Sequence, residues 1–443
     1  MQKFIPFILL FLHCSVANSQ EGDHYFRVLY KPKDALQCRI DLIQQAQKEI
    51  LLSYYILKDD RSGSTLLNLL AEAAKRGVIV QILMDRNGSK ISAPMRAFLA
   101  KNGVVIHRFF LKNKGLKKYY HGLHEKVFIV DSKFLIVGGR NLKDNYYNLA
   151  PDFNFFDYDA LVTGDSVLRS ARLHFYTLWH DVRLSSPYVA PEVDEKKALK
   201  NLERMKSAAA EVTRQLNIQY DTKTDWLADC KPASSRAGFI KDDFYVKKGR
   251  HYILSDEKGY SSTNALISFI DSAKQSVLIE NPYFVPTKGW NRAFNDALQR
   301  GVKIRLMTNS LHSTDLVIRQ AAYMNRRKKL LRQGIEIWEF QGPQKLHAKA
   351  MVVDEDVVVI GSYNIHRPSE RYNTEVAVWT KNNRTALDHL SVMSSNLENA
   401  LQIGSDNRPI RRPDKNFKSP SFGLRAKAFL LRYTIGQFLG WLM

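Results

Sequence analysis

Two short stretches of the chain hold the residue types that could break a phosphate ester. Leu346-His347-Ala348-Lys349-Ala350-Met351-Val352-Val353-Asp354 carries a histidine and a lysine one residue apart, then an apolar run closed by an aspartate. His124-Glu125-Lys126-Val127-Phe128-Ile129-Val130-Asp131 has the same spacing. In a strand, residues i and i+2 share a face, so each histidine points to the same side as its lysine. The lysine supplies a fixed positive charge, and the imidazole supplies a nitrogen that can attack or carry a proton near neutral pH. Direct displacement at a phosphodiester requires a nucleophile in line with the leaving oxygen and an acid on the opposite side. Two imidazoles facing each other across one phosphorus meet that requirement with no cofactor and no metal. One attacks to form a phosphohistidine, and the other protonates the departing alcohol and then deprotonates the incoming one. Lys126 and Lys349 would neutralise the non-bridging oxygens, and Asn141 and Asn364 would donate further hydrogen bonds. Gly138-Gly139 and Gly361-Ser362 let the backbone come close. His121 and His124 make half a zinc site at most, because no cysteine or histidine cluster supplies the remaining ligands.

The match between the two stretches extends along the chain. Arg76-Gly77-Val78 answers to Arg300-Gly301-Val302, and Lys101-Asn102-Gly103-Val104 answers to Arg332-Gln333-Gly334-Ile335. Gly138-Gly139-Arg140-Asn141 stands against Gly361-Ser362-Tyr363-Asn364, and Asp157-Tyr158-Asp159 stands against Asn373-Thr374-Glu375. Such a ladder of matches marks a duplicated domain.

Two H-x-K-x-x-x-x-D motifs, each followed by a small-residue pair and an asparagine, resemble the phospholipase D superfamily from about Tyr30 to about Leu390. The second half is most similar to bacterial cardiolipin synthases of the C-type branch, on Tyr283-Phe284-Val285-Pro286-Thr287, Thr308-Asn309-Ser310 and Arg327-Lys328-Lys329-Leu330-Leu331. The resemblance implies an α/β fold, a duplicated phospholipase D-like domain with its active site at the pseudo-two-fold interface, so that one chain is its own pseudo-dimer. It implies that downstream carboxylates hold the imidazole tautomers: Glu375 in the second half, Asp157 or Asp159 in the first. It makes His124 the nucleophile and His347 the acid/base. The motif aspartates Asp131 and Asp354 close their strands and brace the fold. The implied activity is phosphatidyl transfer that makes cardiolipin from phosphatidylglycerol, with phosphatidylethanolamine equally compatible as a second lipid. Plain phospholipase D hydrolysis, a nuclease of the same superfamily and a catalytically silent membrane-binding relative stand as alternatives; the last is opposed by both motifs being intact.

The remaining sequence must position these groups. With 443 residues, 45% of them hydrophobic and 25% charged, the chain has room for two cores. A net charge of +22 predicts attraction to an anionic membrane or to nucleic acid and says nothing about fold. Lys3, the apolar run Phe4 to Leu12 and the small residues Ser15, Ala17 and Ser19 have the order of a secretory signal over residues 1–19, which would export the protein to the periplasm or the outer membrane face. An uncleaved anchor is the bland alternative. The pattern then predicts helices over Ala35 to Lys48, Leu66 to Lys75 and Ser166 to Trp179. It predicts strands over Ile50 to Ile56, Val78 to Met84, Val104 to Phe109, Lys126 to Val130 and Phe134 to Val137, with Asp85 closing the second. Strands separated by helices argue for two mixed, largely parallel β-sheets flanked by helices. The expected domains span 25–183 and 251–400, joined by a surface connection over 184–250 that holds a helix at Lys196 to Ala210. A basic, amphipathic tail follows over 401–443. Its apolar face, Leu424, Ala428, Leu431, Ile435, Phe438 and Leu442, suits a helix in a membrane interface or one docked on the protein. Lys112 to Tyr120, an insertion before the first motif, is a cationic rim or a solvated loop. Cys38 and Cys230 are either a disulfide or two separate thiols.

Overall fold

The computed structural model describes residues 24–110, 122–228, 230, 236–247, 251–254, 261–411 and 420–433. The expected signal segment, the Lys112 to Tyr120 insertion and the tail after Tyr433 lie outside the described residues.

Each half is built on a sheet whose strands are apolar on both sides. The first sheet has eight strands, in the order Phe26–Leu29, Asp159–Val162, Phe134–Gly138, Lys126–Val130, Glu49–Tyr54, Ile79–Asp85, Val105–Phe109 and Ser185–Pro187. The second has nine: Ala237–Lys241, Val376–Lys381, Val357–Gly361, Ala350–Val353, Ser276–Glu280, Lys303–Asn309, Glu336–Phe340, Ala400–Ile403 and Pro409–Arg411. Position by position the second order repeats the first and adds one strand at its end. The duplication and the mixed α/β class therefore stand.

Within the two large sheets the parallel pairings are those of three neighbouring strands in each half, Glu49–Tyr54, Ile79–Asp85 and Val105–Phe109 in one and Ser276–Glu280, Lys303–Asn309 and Glu336–Phe340 in the other. Helical crossovers make them parallel. The pairings around the motif strands are antiparallel, because a turn of a few residues, such as the one at Asp131, can only return a strand antiparallel. The parallel part is thus smaller than the alternation of elements suggests.

Strand alternation divides each sheet between two cores. Ile50, Leu52, Phe128 and Val130 face the helices Pro32–Gln45 and Arg61–Lys75, whereas Leu51, Val127 and Ile129 face the other half. That second cluster joins both sheets, since it also holds Leu278, Met307, Val352, Val358 and Ile360, together with the helices Asp165–His180 and Asn383–Leu397. Burying each such side chain contributes about 2 kcal/mol, so the contact between halves is a core and not a loose interface.

The helix Arg61–Lys75 starts a turn earlier than its apolar periodicity, because Asp60 caps it by accepting from the Gly63 amide. The connection between the halves is built into both. Ser185–Pro187 is an edge strand of the first sheet, and Ala237–Lys241 is an edge strand of the second. The helix Glu195–Leu216 buries Met205, Ala208 and Val212; it runs longer than its pattern predicts and packs on Arg61–Lys75. Cys38 is a buried free thiol in the first core, which excludes the disulfide with Cys230. The tail helix Phe422–Tyr433 docks on Val317–Gln333, burying Ala428, and Arg432 Nε donates to Asn325 Oδ1 at 2.6 Å. Its Phe422, Phe429 and Tyr433 remain exposed. No described helix is long and apolar enough to cross a membrane.

The motif aspartates brace the fold. Asp131 accepts from the backbone amides of Gln47, Lys48 and Glu49 at 2.9, 2.7 and 3.0 Å. Asp354 repeats this with Lys274, Gln275 and Ser276 at 2.8, 2.7 and 2.9 Å. Each carboxylate ties the start of a central strand to the end of the motif strand, and neither reaches the cavity described below. Replacing either by alanine removes three charge-assisted bonds and is expected to cost about 2–3 kcal/mol. Chemical denaturation of Asp131→Ala and Asp354→Ala should show comparable losses; an unchanged midpoint in either would contradict the bracing role.

Candidate active site

Two miniature strand pairs cross between the halves and aim the imidazoles. Gly122–Leu123 runs parallel to Asn373–Thr374, with Leu123 opposite Thr374. Lys345–Leu346 runs parallel to Phe155–Phe156, with Leu346 opposite Phe156. One residue further on, each pair sets a histidine opposite a carboxylate. His124 Nδ1 lies 3.0 Å from Glu375 Oε2, and His347 Nδ1 lies 2.6 Å from Asp157 Oδ2. Each imidazole comes from one half and its carboxylate from the other. With Nδ1–H donated to the carboxylate, Nε2 is the ring nitrogen left for chemistry. Asp85 and Asn309, at the ends of their parallel strands, hold the miniature strands in place. Asp85 Oδ2 accepts from the Leu123 amide at 2.9 Å, and Asn309 bonds both the amide and the carbonyl of Leu346 at 3.0 and 2.8 Å.

The sheet register corrects the sequence matching. Gly138 pairs with Asp159 and Gly361 pairs with Ala377, so Asp157 is the counterpart of Glu375, two places from the match by string. Asp159 does not reach the site. It is fully buried against Arg39 Nη2 at 2.9 Å and Arg140 Nη1 at 3.5 Å, and it holds the first sheet together. The two orienting carboxylates are supported differently. Ser362 and Ser369 donate to Glu375, whose amide donates to Asp242 at 2.8 Å. In the first half a glycine stands where Ser362 stands in the second, and a Cβ on Gly139 would lie 2.1 Å from Asp157 Oδ1. The small residue is required there because the carboxylate occupies the space.

Both lysines of the motifs are buried beside their histidines. Lys126 Nζ donates to the His124 carbonyl at 2.6 Å, and Lys349 Nζ donates to the His347 carbonyl and stands 2.9 Å from His347 Nδ1. Burial pushes Lys126 down to about 7 and Lys349 down to about 8, and pushes Glu375 up to about 8. Burial, reinforced by the neighbouring lysines, holds His124 well below the ordinary imidazole value and His347 below it. Burial thus disfavours charge on these groups, and an anion bound beside the lysines would favour their charged form.

A cavity of about 300 Å³ contains both imidazoles, Asn141 and Asn364. Asn141 acts at one remove: its Nδ2 donates to Tyr146 Oη at 2.7 Å, and that oxygen lies 3.5 Å from His347 Nε2. Asn364 Oδ1 is buried with no hydrogen-bond partner among the described residues. Sequence reasoning missed Tyr55, Lys143, Tyr146, Asp315, Arg319 and His366, all of which line the cavity. Lys143 and His366 were findable, since each stands two places after its motif asparagine. Tyr55 follows the strand Glu49–Tyr54, Tyr146 closes the short helical turn Asp144–Tyr146, and Asp315 and Arg319 lie at the start of the helix Val317–Gln333, places that no match between the two halves marks.

Comparison with known proteins fits this geometry. The family model described as cardiolipin synthase, PLD-like domain, matches residues 39–179 and 266–397. The chain belongs to that family. It is 27% identical over 384 residues to cardiolipin synthase C of Escherichia coli K12, covering 79% of each chain. It is 32% identical over 382 residues to an uncharacterized protein of Helicobacter pylori strain 26695, covering 78% of this chain and 74% of that protein. The fold is similar to that of phosphatidylserine synthase of Haemophilus influenzae Rd KW20, with a TM-score of 0.66 at 12% identity over 95% of this chain and 97% of that one.

The low lysine values carry a sign. An ammonium is charged below its pKa, and a bound anion stabilises that form, so anion binding should draw in protons and weaken as pH rises through about 7 to 8. Calorimetric titration with sulfate, in buffers of different ionisation heat, should show this proton uptake; affinity independent of pH between 6 and 9 would argue against buried lysines as the phosphate cradle. The crossed pairs make a second expectation. Glu375→Gln should couple energetically to His124→Asn, and Asp157→Asn to His347→Asn, in double-mutant cycles of turnover. Stronger coupling within each half would refute the crossed arrangement as the working one.

Proposed function

We propose that the cavity carries out phosphatidyl transfer on phospholipids, with cardiolipin synthesis as its reaction. The observation that carries this reading is the placing of two carboxylate-tethered imidazoles on one cavity, each with a buried lysine against it, in a chain of the cardiolipin synthase family. In the first step Nε2 of His124 attacks the phosphorus of a phosphatidylglycerol. The P–N bond forms, the P–O bond to the head-group glycerol breaks, and His347, which enters this step as an imidazolium paired with Asp157, gives its Nε2 proton to that departing oxygen. In the second step the hydroxyl of another phosphatidylglycerol attacks the same phosphorus. Its proton passes to His347, the P–N bond breaks, and cardiolipin leaves His124 free. Lys126 and Lys349 balance the negative charge that builds on the non-bridging oxygens. Burial supports His124 as the nucleophile, since it keeps the ring neutral.

A lipid is favoured over nucleic acid by the cavity wall, where Phe153, Phe155, Tyr146 and Tyr283 flank the polar centre. Phosphatidylethanolamine shares the phosphodiester and remains compatible as a partner substrate. The exposed Phe422, Phe429 and Tyr433 of the tail helix, with Arg425 and Lys427 also exposed, suit an anionic membrane surface. We place the protein on the outer or periplasmic face of a membrane on the strength of its N-terminal signal pattern.

Mass spectrometry of lipids from cells expressing the wild type and His124→Ala should show cardiolipin rising only with the wild type. Phosphatidic acid in its place would mean hydrolysis, and cleavage of DNA in chelator without any lipid product would mean a nuclease. A phosphatidyl p-nitrophenol, whose leaving group needs no acid, separates the histidines. His347→Asn should release nitrophenolate in a burst of about one equivalent and retain the phosphatidyl group, whereas His124→Asn should give no burst. The reverse pattern would exchange the two roles.

A further inference from the structure

We propose that Arg319 and Lys143 form a second anion site in the cavity, which holds the phosphodiester of the acceptor lipid while the first phosphate sits between the imidazoles. This rests on the transfer reading above and names what selects the acceptor.

Arg319 and Lys143 line the cavity apart from the two motif lysines. Among the described residues neither forms an ion pair or a hydrogen bond through its cationic group. The Arg319 guanidinium stands 5.4 Å from the centre of the Tyr283 ring. Asp315 also lines the cavity, but its Oδ1 takes the Tyr283 hydroxyl at 2.5 Å and lies beyond ion-pair reach of Arg319. Burial disfavours the charge on both cations, and Asp315 near Arg319, and Asp60, Asp152 and Asp144 near Lys143, offset it only in part; a ligand that supplies further negative charge would favour both. His366, the counterpart of Lys143, adds a neutral donor. Its Nδ1 accepts from the Ser369 amide at 3.1 Å, so Nε2 carries the hydrogen.

Asymmetry points to the acceptor. The imidazoles, lysines and carboxylates obey the pseudo-two-fold, but this wall does not. In the first half the strand Ile79–Asp85 leads to a helix of 9 residues, Ala93–Lys101; in the second, Lys303–Asn309 leads to one of 17 residues, Val317–Gln333, and its first turn carries Arg319. A symmetric centre could serve any alcohol. Water and glycerol bring no charge, whereas an acceptor phosphatidylglycerol brings a second phosphate only a glycerol away from the first, and a planar guanidinium suits its oxygens.

The test gives the full chain short-chain phosphatidylglycerol together with labelled glycerol, and reads from one reaction the ratio of cardiolipin to labelled phosphatidylglycerol. Arg319→Gln should lower that ratio about tenfold or more, which is the loss of one charge-assisted contact to the acceptor. Arg319→Lys should give an intermediate value, and Lys143→Gln should lower the ratio independently. An unchanged ratio, or both products falling together in Arg319→Gln and Lys143→Gln, overturns the second site. Wild type that makes labelled phosphatidylglycerol but no cardiolipin would instead remove the transfer reading beneath it.

Discussion

Each imidazole at the centre of this molecule takes its orientation from a carboxylate on the other half of the chain. His124 depends on Glu375, and His347 depends on Asp157. Neither half therefore holds a complete acid, base or nucleophile of its own. The constraint explains why the two sheets share one apolar cluster, with Leu51 and Ile129 from the first packed with Val352 and Ile360 from the second. A looser contact would let the miniature strands slide, and a shift of one residue would turn each histidine away from its partner.

The surroundings of the crossed pairs follow from burial. Carboxylates and ammonium groups removed from water survive only when tied to neighbours, and here nearly every one is tied. Two serines meet the oxygens of Glu375, the Tyr158 amide donates to Asp157 where Gly139 makes room for it, and the lysines bond the carbonyls of their own histidines. The halves have solved the same problem with different atoms: a longer acid with a serine opposite, a shorter acid with a glycine opposite. Outside that inner ring the symmetry ends, and the wall made by Asp315, Arg319 and Tyr283 belongs to the second half alone.

Much of this was legible before any coordinates. The spacing of His124 with Lys126 and of His347 with Lys349 specified a shared face, and the runs ending at Asp131 and Asp354 specified strands that turn there. The repeated Gly-x-x-Asn after each motif strand located the second ring of the site. Local rules sufficed because period, turn and spacing are short-range properties. They misled where the match relied on string similarity: Asp159 looked as good a partner as Asp157 until the pairing of Gly138 with Asp159 showed the offset. The tail was legible as amphipathic, but its docking on Val317–Gln333 was not, since the apolar face of a helix carries no address.

By itself, then, the sequence determined the duplication, the two His/Lys faces and the strands that bear them, because these depend on residues close together in the chain. Only the tertiary structure decided that the carboxylates cross between halves, that Asp159 serves the first core, and that Tyr146, Lys143 and Arg319 share a cavity with the imidazoles. Those facts depend on how two sheets pack face to face and on how loops of unequal length close over them. Contacts of that kind are set by the summed burial of many side chains, and no local spacing in the chain encodes them.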